Sequence, residues 1–379
     1  MINNVIMKNM PRKMIVLDVG ARGGLCEPFS DFDKSVITPI LVEPDKDEAK
    51  RLSRLKDNES EIILPYALWD KSVELTLNIN KSAGTSSIYK SNFKELDNFP
   101  ESDRFLNEKR VKLEGKTIDE LAANGVINDV DFMKVDIQGG ELQVIQGGVE
   151  FLKDNLIGIE VEVEFLEMYK NQPLFGDVEK YIRTNLGLEL WDIKKYYWKY
   201  KTKKNMSTST KGRVIFADAL FIRPLTDIDD WLSEFTLEKA SQKLYMLMLT
   251  LSAYGYYDYI EALLESEVGM KYLDIESNKH FSDFLKKNDN VIINYGKDGT
   301  GNIYNIDNII EFAKNFNHDA DLVTADGGFD FSTNFNKTLR FLSFQLLIFR
   351  LISLKRDKNN FSFSSRASKS TEDLNLFVI

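Results

Sequence analysis

The residues best placed to hold a small ligand lie near the amino terminus. In VLDVGARGG (Val16–Gly24) an apolar run meets Asp18, and Gly20, Gly23 and Gly24 follow. Glycine adopts positive φ and lets the backbone approach a ligand. A helix beginning there offers free N–H groups. A carboxylate beside a bare turn at a strand end suits a dinucleotide, a nucleotide phosphate or S-adenosylmethionine. The spacing is not the G-x-G-x-x-G of a dinucleotide fold.

Later strand ends add acids. LVEPD places Glu43 at the end of a second strand, about twenty residues past the glycine turn, where an acid accepts hydrogen bonds from ribose hydroxyls. ALWDK offers Asp70 to an adenine amino group, with Leu68 or Trp69 against the ring. DFMKVDIQGGE ends a fourth strand at Asp136, directly over the expected cleft. That carboxylate faces a donor's charged methionine part or a substrate hydroxyl, or else it caps a helix. In IGIEVEVEF, Glu160, Glu162 and Glu164 alternate with Ile159, Val161 and Val163. Like charges on one strand face need solvent, partners or a metal. The alternatives are a solvated edge, or Glu160 or Glu162 at the cleft mouth as a base or sugar-hydroxyl acceptor. No clean metal-ligand spacing occurs, so no metal is assigned.

These residues need a scaffold of alternating strands and helices. MIVLDV, TPILVEP, EIILPYAL, DFMKVDI, LIGIEVEVEF, LGLELWDI and GRVIFADALFI read as strands, and SVELTLNIN as a hairpin element. DKDEAKRLSRL, TIDELAANG and GELQVIQGGVEFLKDN read as helical, with Thr117 as a cap and Glu120 at the capping-box position. The series predicts an α/β fold whose mostly parallel sheet carries helices on both faces and binds ligands at the strands' carboxyl ends. From Thr226 the chain becomes helix-rich, and turn and strand signals return near residue 288.

The 379 residues carry a formal net charge of -10 and 43% hydrophobic content. That suffices for a sizeable core and disfavours a nucleic-acid backbone as general partner. The lone Cys26 reads as a packing residue and excludes an intramolecular disulfide. No signal peptide or spanning segment is recognised, and Phe341–Leu354 is too short to cross a bilayer. A cytoplasmic protein is the expectation. The chain's two histidines, His280 and His318, lie beyond residue 225, so a histidine base within the first part is excluded.

VLDVGARGG, LVEPD, GTSSIY, DFMKVDIQGGELQVIQGG, GIEVEVEFLEMYKNQPLF and GRVIFADALFIR together resemble FkbM-type S-adenosylmethionine-dependent methyltransferases over roughly residues 13–225. The resemblance implies a class I Rossmann-like fold and an O-methyltransferase of a sugar, glycan or related small metabolite. It implies donor binding by Asp18, Gly20, Gly23 and Glu43, with Asp136 near the reacting centre. Arg22 is unusual in that turn and pairs either with a ligand carboxylate or with solvent. The family commonly has an acid where this chain has Gln138. Alignment of oxygen, methyl and sulfur would carry the chemistry, with Asp136 as base and Glu162 second. GTSSIY and YKNQPLF are expected in loops over the cleft. YGKDGTGNIYN and DLVTADGGFDFS resemble part of an FtsJ-like RNA 2′-O-methyltransferase over residues 288–350, with Asp326 at the catalytic position. The expected division is 1–225 for the methyltransferase domain, 226–287 for a helical segment and 288–379 for a partial module with a serine-rich tail. RNA methylation, with KKYYWKYKTKK (Lys194–Lys204) as a basic aromatic surface, and a non-catalytic donor-binding scaffold are the competing functions. Oligomeric state is left open.

Overall fold

The computed structural model describes residues 4–56, 60–202, 211–288, 293–295 and 301–303. In chain order, α1 (Asn4–Lys8) precedes β1 (Met14–Val19), β2 (Ile37–Val42), α2 (Lys46–Leu55), β3 (Ile62–Leu64), β4 (Ala67–Leu68) and β5 (Glu74–Asn80). Then come α3 (Phe93–Leu96), β6 (Asn107–Lys116), α4 (Ile118–Ala123), β7 (Phe132–Val135), α5 (Glu141–Gln146), α6 (Val149–Asn155), β8 (Gly158–Glu164), α7 (Phe175–Leu186), β9 (Glu189–Trp198) and β10 (Arg213–Ile222). Five helices follow: α8 (Ile228–Ser233), α9 (Leu237–Tyr254), α10 (Tyr257–Glu265), α11 (Glu267–Tyr272) and α12 (Ile275–Asn288). The chain divides into two compact units, and the second contributes to the described residues only the antiparallel pair β11 (Ile293–Tyr295) and β12 (Gly301–Ile303). His318, Asp326, the Phe341–Leu354 run, the serine-rich tail and most of the FtsJ-like stretch lie outside the described residues.

The main sheet has seven strands in the order β3-β2-β1-β7-β8-β10-β9. From β3 to β8 every pairing is parallel, and β10 runs antiparallel to both its neighbours. This is the expected α/β sheet, and its direction of progress reverses at β1, where β2 and β7 flank it on either side. Such a switch point leaves a crevice at the carboxyl ends. One face packs on α4 to α7 through residues such as Leu17, Val135, Val161, Ile118, Val144 and Ile182. The other packs on the carboxyl-terminal helices through Val16, Phe132, Leu220, Leu244 and Leu247.

Three local readings change. EIILPYAL is not one strand. Ile62–Leu64 extends the main sheet, whereas Ala67–Leu68 pairs with β6 in a second, three-stranded sheet. Pro65, without an N–H, stands at the break. GELQVIQGGVEFLKDN forms two helices that meet at Gly147 and Gly148, and a Cβ at Gly147 would sit 1.9 Å from the Trp69 carbonyl oxygen. No α-helix follows the glycine turn; a 3-10 turn at Phe29–Asp31 does. The face left open there is filled by Phe29, whose ring lies 4.8 Å from Phe132 and 6.1 Å from Tyr254 at the end of α9.

The amino ends of the strands hold a buried ionic knot. Lys243 of α9 is fully buried, with Nζ 2.7 Å from Asp129 Oδ1, 2.9 Å from Asp131 Oδ1 and 2.8 Å from the Val130 carbonyl. Arg12 donates to both oxygens of Asp131, which also accepts from the Ile15 N–H at 2.9 Å. Burial alone would raise the Asp131 pKa, but Lys243 and Arg12 overcome it and hold the carboxyl below its usual range. Breaking a buried pair by removing one partner costs about 3–5 kcal/mol. Lys243→Ala is therefore expected to lower the unfolding free energy by about that amount in a denaturant titration; an unmoved midpoint would show that the knot contributes nothing net.

Candidate active site

The glycine turn is built by close approach. Gly20 has φ +89° and donates to the Val42 carbonyl at 3.0 Å. A Cβ there would lie 2.0 Å from the Asp136 carbonyl oxygen, so no other residue fits between β1 and β7. Two acids tie the loop down. Asp18 Oδ2 accepts from the Cys26 N–H at 2.8 Å, and Glu48 Oε1 accepts from the Gly23 N–H at 3.0 Å. Burial pushes the Asp18 carboxyl up to about 6 despite that hydrogen bond. Burial likewise raises the Cys26 thiol, which packs against the core.

A cleft of about 680 Å³ opens at the carboxyl ends of β1, β2 and β7. Gly20, Arg22, Glu43, Asp136 and Gln138 line one part of it. Tyr66, Ala67 and Leu68 continue the wall, and Leu77, Ile79, Ile88 and Val111 of the smaller sheet region close it. Glu43 is 5% exposed and spends Oε1 on the Asp45 N–H at 2.8 Å. Burial raises its pKa, opposed by that hydrogen bond and by Arg22. Arg22 Nη1 lies 3.8 Å from Asp45 Oδ2, so this half-exposed guanidinium has a partner within the chain.

Behind Asp136 lies a stack of buried acids. Central strand β8 directs Ile159, Val161 and Val163 into one core and Glu160, Glu162 and Glu164 to the other side. The solvated-edge alternative is therefore wrong, since β8 is flanked by β7 and β10 and this face is covered. Glu160 pairs with Lys134 at 3.1 Å and accepts from the Tyr254 hydroxyl at 3.1 Å. Glu162 Oε2 accepts from Gln138 Nε2 at 2.6 Å, and the same amide donates to Asp136 Oδ1 at 3.1 Å. Glu141 accepts from the N–H groups of Ile137 at 2.8 Å and Gly139 at 2.9 Å. Burial first, then the neighbouring acids, holds Glu162 and Glu164 well above the usual carboxylate range. Glu141 is pushed up to about 7, again by burial first.

Asp136, Glu141 and Glu162 each offer one oxygen within 4.8 Å of the others, a set of hard ligands of the kind Mg²⁺ takes. Their oxygens already accept hydrogen bonds from Gln138 and the Ile137–Gly139 backbone.

The structure thus gathers Gly20, Arg22, Glu43 and Asp136 around one cleft. Asp18 and Gly23 belong to the loop's internal hydrogen bonds and do not line it. Asp70 is exposed and away from the cleft, while Leu68 lines it; Trp69 turns inward against Tyr89. Glu160 and Glu162 are not at the mouth but beneath it. Of the expected cover loops, Gly84 and Ser86 reach the cleft, whereas Gln172 is buried and accepts from the Tyr169 N–H at 2.5 Å. Tyr169 escaped the sequence reading. It is fully buried, and its one hydroxyl proton lies between the Thr85 carbonyl at 2.9 Å and Gln138 Oε1 at 3.1 Å. Only its place inside YKNQPLF hinted at a role. The KKYYWKYKTKK aromatics are engaged internally: Tyr196 stacks on Phe216 at 4.5 Å and Tyr200 on Phe99 at 4.8 Å.

Residues 18–190 match the model of the methyltransferase FkbM domain family. The chain contains an FkbM methyltransferase domain. Such methyltransferases use S-adenosylmethionine. Among solved structures, the chain is similar to a methyltransferase FkbM from Methylobacillus flagellatus KT, at 11% identity over 56% of this chain and 43% of that one, with a TM-score of 0.31. It is also similar to a putative methyltransferase from Thermoplasma acidophilum, at 9% identity over 57% of this chain and 70% of that one, with a TM-score of 0.27. The chain thus spans less than half of the first of these proteins. No curated protein matches it. Among the described residues, no helix is long and apolar enough to cross a membrane.

The raised carboxyls fix a pH dependence. A buried acid with a raised folded pKa binds protons more tightly folded than unfolded, so stability falls as pH rises through the interval between its two pKa values. For Asp18 and Glu141 that interval ends at about 6 and about 7. The ligand-free protein is expected to melt at a lower temperature at pH 7.5 than at roughly pH 5, with Glu162→Gln flattening the slope. Scanning calorimetry across that range checks it; a melting temperature that rises with pH would refute it.

Proposed function

We propose that the FkbM domain transfers the methyl group of S-adenosylmethionine to a hydroxyl of a sugar, glycan or related small metabolite. The supporting observation is that Glu43 and Asp136, from strands on either side of β1, line one cleft with Gly20 between them. In this reading Glu43 meets the ribose hydroxyls with the oxygen not spent on Asp45, and Gly20 lets the donor lie against the backbone. Arg22 is available to the donor's carboxylate at the cleft rim.

The reaction is a direct displacement. The acceptor oxygen attacks the methyl carbon, a C–O bond forms, and the C–S bond breaks with its electron pair going to sulfur. S-adenosylhomocysteine leaves as a neutral thioether. Asp136 takes the hydroxyl proton. Because the sulfonium is already electrophilic, alignment supplies most of the rate gain. Residues 1–225 are proposed as the methyltransferase domain and 226–287 as a helical segment whose α9 lines the sheet's second core. The rest, 288–379, is proposed as a partial FtsJ-like module.

Calorimetry with S-adenosylmethionine is expected to show binding, which Glu43→Ala weakens by about 1–3 kcal/mol through lost charged hydrogen bonds. Equal affinity in that variant would remove the ribose role. Asp136→Asn is expected to keep donor binding and abolish transfer of label from methyl-labelled donor to a panel of nucleotide-sugars and glycans. Full activity in that variant would reject Asp136 as the proton acceptor.

A further inference from the structure

Gln138 is held more firmly than a turn requires. It has φ +66°, a conformation that L residues other than glycine seldom adopt. Its carbonyl accepts from Ser87 Oγ at 2.6 Å. Its side-chain oxygen lies 3.1 Å from the buried Tyr169 hydroxyl, which shares its one proton with the Thr85 carbonyl at 2.9 Å. Its side-chain nitrogen donates at 3.1 Å to Asp136 and at 2.6 Å to Glu162. Every polar atom of the amide is therefore committed, in a direction set by residues from other loops. A strained backbone over-determined by its surroundings points to function.

The amide also bridges two acids of different access. Asp136 lines the cleft and Glu162 does not. Glu162 is closed in by Tyr169, Glu141 and Glu164, all buried, and meets the cleft wall both through Asp136 directly and through the amide. An acid in place of Gln138 could not donate to both neighbours when ionised.

We propose that Gln138 is a positioning residue whose amide ties Asp136 to Glu162 and so holds the Asp136 carboxylate in one orientation toward the acceptor hydroxyl. This rests on the reading of Asp136 as proton acceptor. The neutral amide satisfies two carboxyls with one group, because its two N–H bonds reach Asp136 and Glu162 together.

Two variants test it. Gln138→Met keeps the length and removes both polar ends; Gln138→Glu keeps the shape and replaces the donor. Three readouts are compared with the unaltered protein: donor affinity by calorimetry, the pH profile of methyl transfer to whichever acceptor the panel labels, and the titration of the Glu162 carboxyl by carbon-13 NMR, which needs no acceptor. Donor affinity is expected to hold while kcat at pH 7 falls by about tenfold to a hundredfold through misorientation. The acidic limb of the profile and the Glu162 titration are expected to move up by about one unit or more, a tenfold change in proton affinity. Folded variants with an unmoved pH profile and an unmoved Glu162 titration would overturn the proposal and leave Gln138 as an ordinary turn residue. If the unaltered protein binds no S-adenosylmethionine, the functional reading fails, and the Glu162 titration still decides whether Gln138 ties the two carboxyls together.

Discussion

Neutralising the carboxylates on the covered face of β8 is the constraint around which the domain is arranged. Isolated charges in a low-dielectric interior are expensive, so each needs a cation, a proton or donors. The strand meets that demand differently at each step. Glu160 takes Lys134 from β7, and Asp218 of β10 shares the same ammonium at 3.0 Å. Glu162 takes the Gln138 amide, and burial raises its affinity for a proton. Charge is thus met by a lysine deep in the sheet and by amide donors and raised proton affinity near its carboxyl end, where the cleft opens.

The same economy shapes the glycine turn. In a sheet with a helix after β1, backbone N–H groups at that helix start would be free for a ligand. Here the chain runs instead through a 3-10 turn, and side chains take up the loop's N–H groups: Asp18 at Cys26 and Glu48 at Gly23. The loop is therefore pre-shaped by its own acids. What it offers a donor is the bare approach at Gly20 and the carboxylate of Glu43.

The carboxyl-terminal helices complete this arrangement. Tyr254, near the end of α9, donates to Glu160 and packs against Phe29 and Phe132. Arg223, just past β10, is buried and donates to the Leu156 and Leu186 carbonyls at 2.9 and 3.2 Å, capping α6 and α7. Its guanidinium lies 4.1 Å from the centre of the Trp231 ring of α8. Together with the Lys243 knot, these contacts bind α8 and α9 to the sheet that carries the cleft.

Much of this was legible in the residues, where the signal is local. Short apolar runs located β1, β2, β7 and β10, an alternating one located β8, and strand ends located Glu43 and Asp136. Strand β6 was missed because NEKRVKLEGK is nearly all polar, with its inward Val111 and Leu113 hidden among charges. Thr117 caps α4 through the Glu120 N–H at 2.9 Å as its spacing suggests, yet the Glu120 side chain turns away to Ser72 and Lys116. The sequence by itself determined which residues stand at strand ends, because alternation and turn chemistry act over a few residues. Which acids reach the cleft is a matter of packing between distant segments. Exposure of a side chain depends on the layers packed over its strand, and those layers come from segments far along the chain: they bury Glu162 under Gln138 and Tyr169, leave Asp70 outside, and bring Tyr254 of α9 against Phe29 beyond the glycine turn.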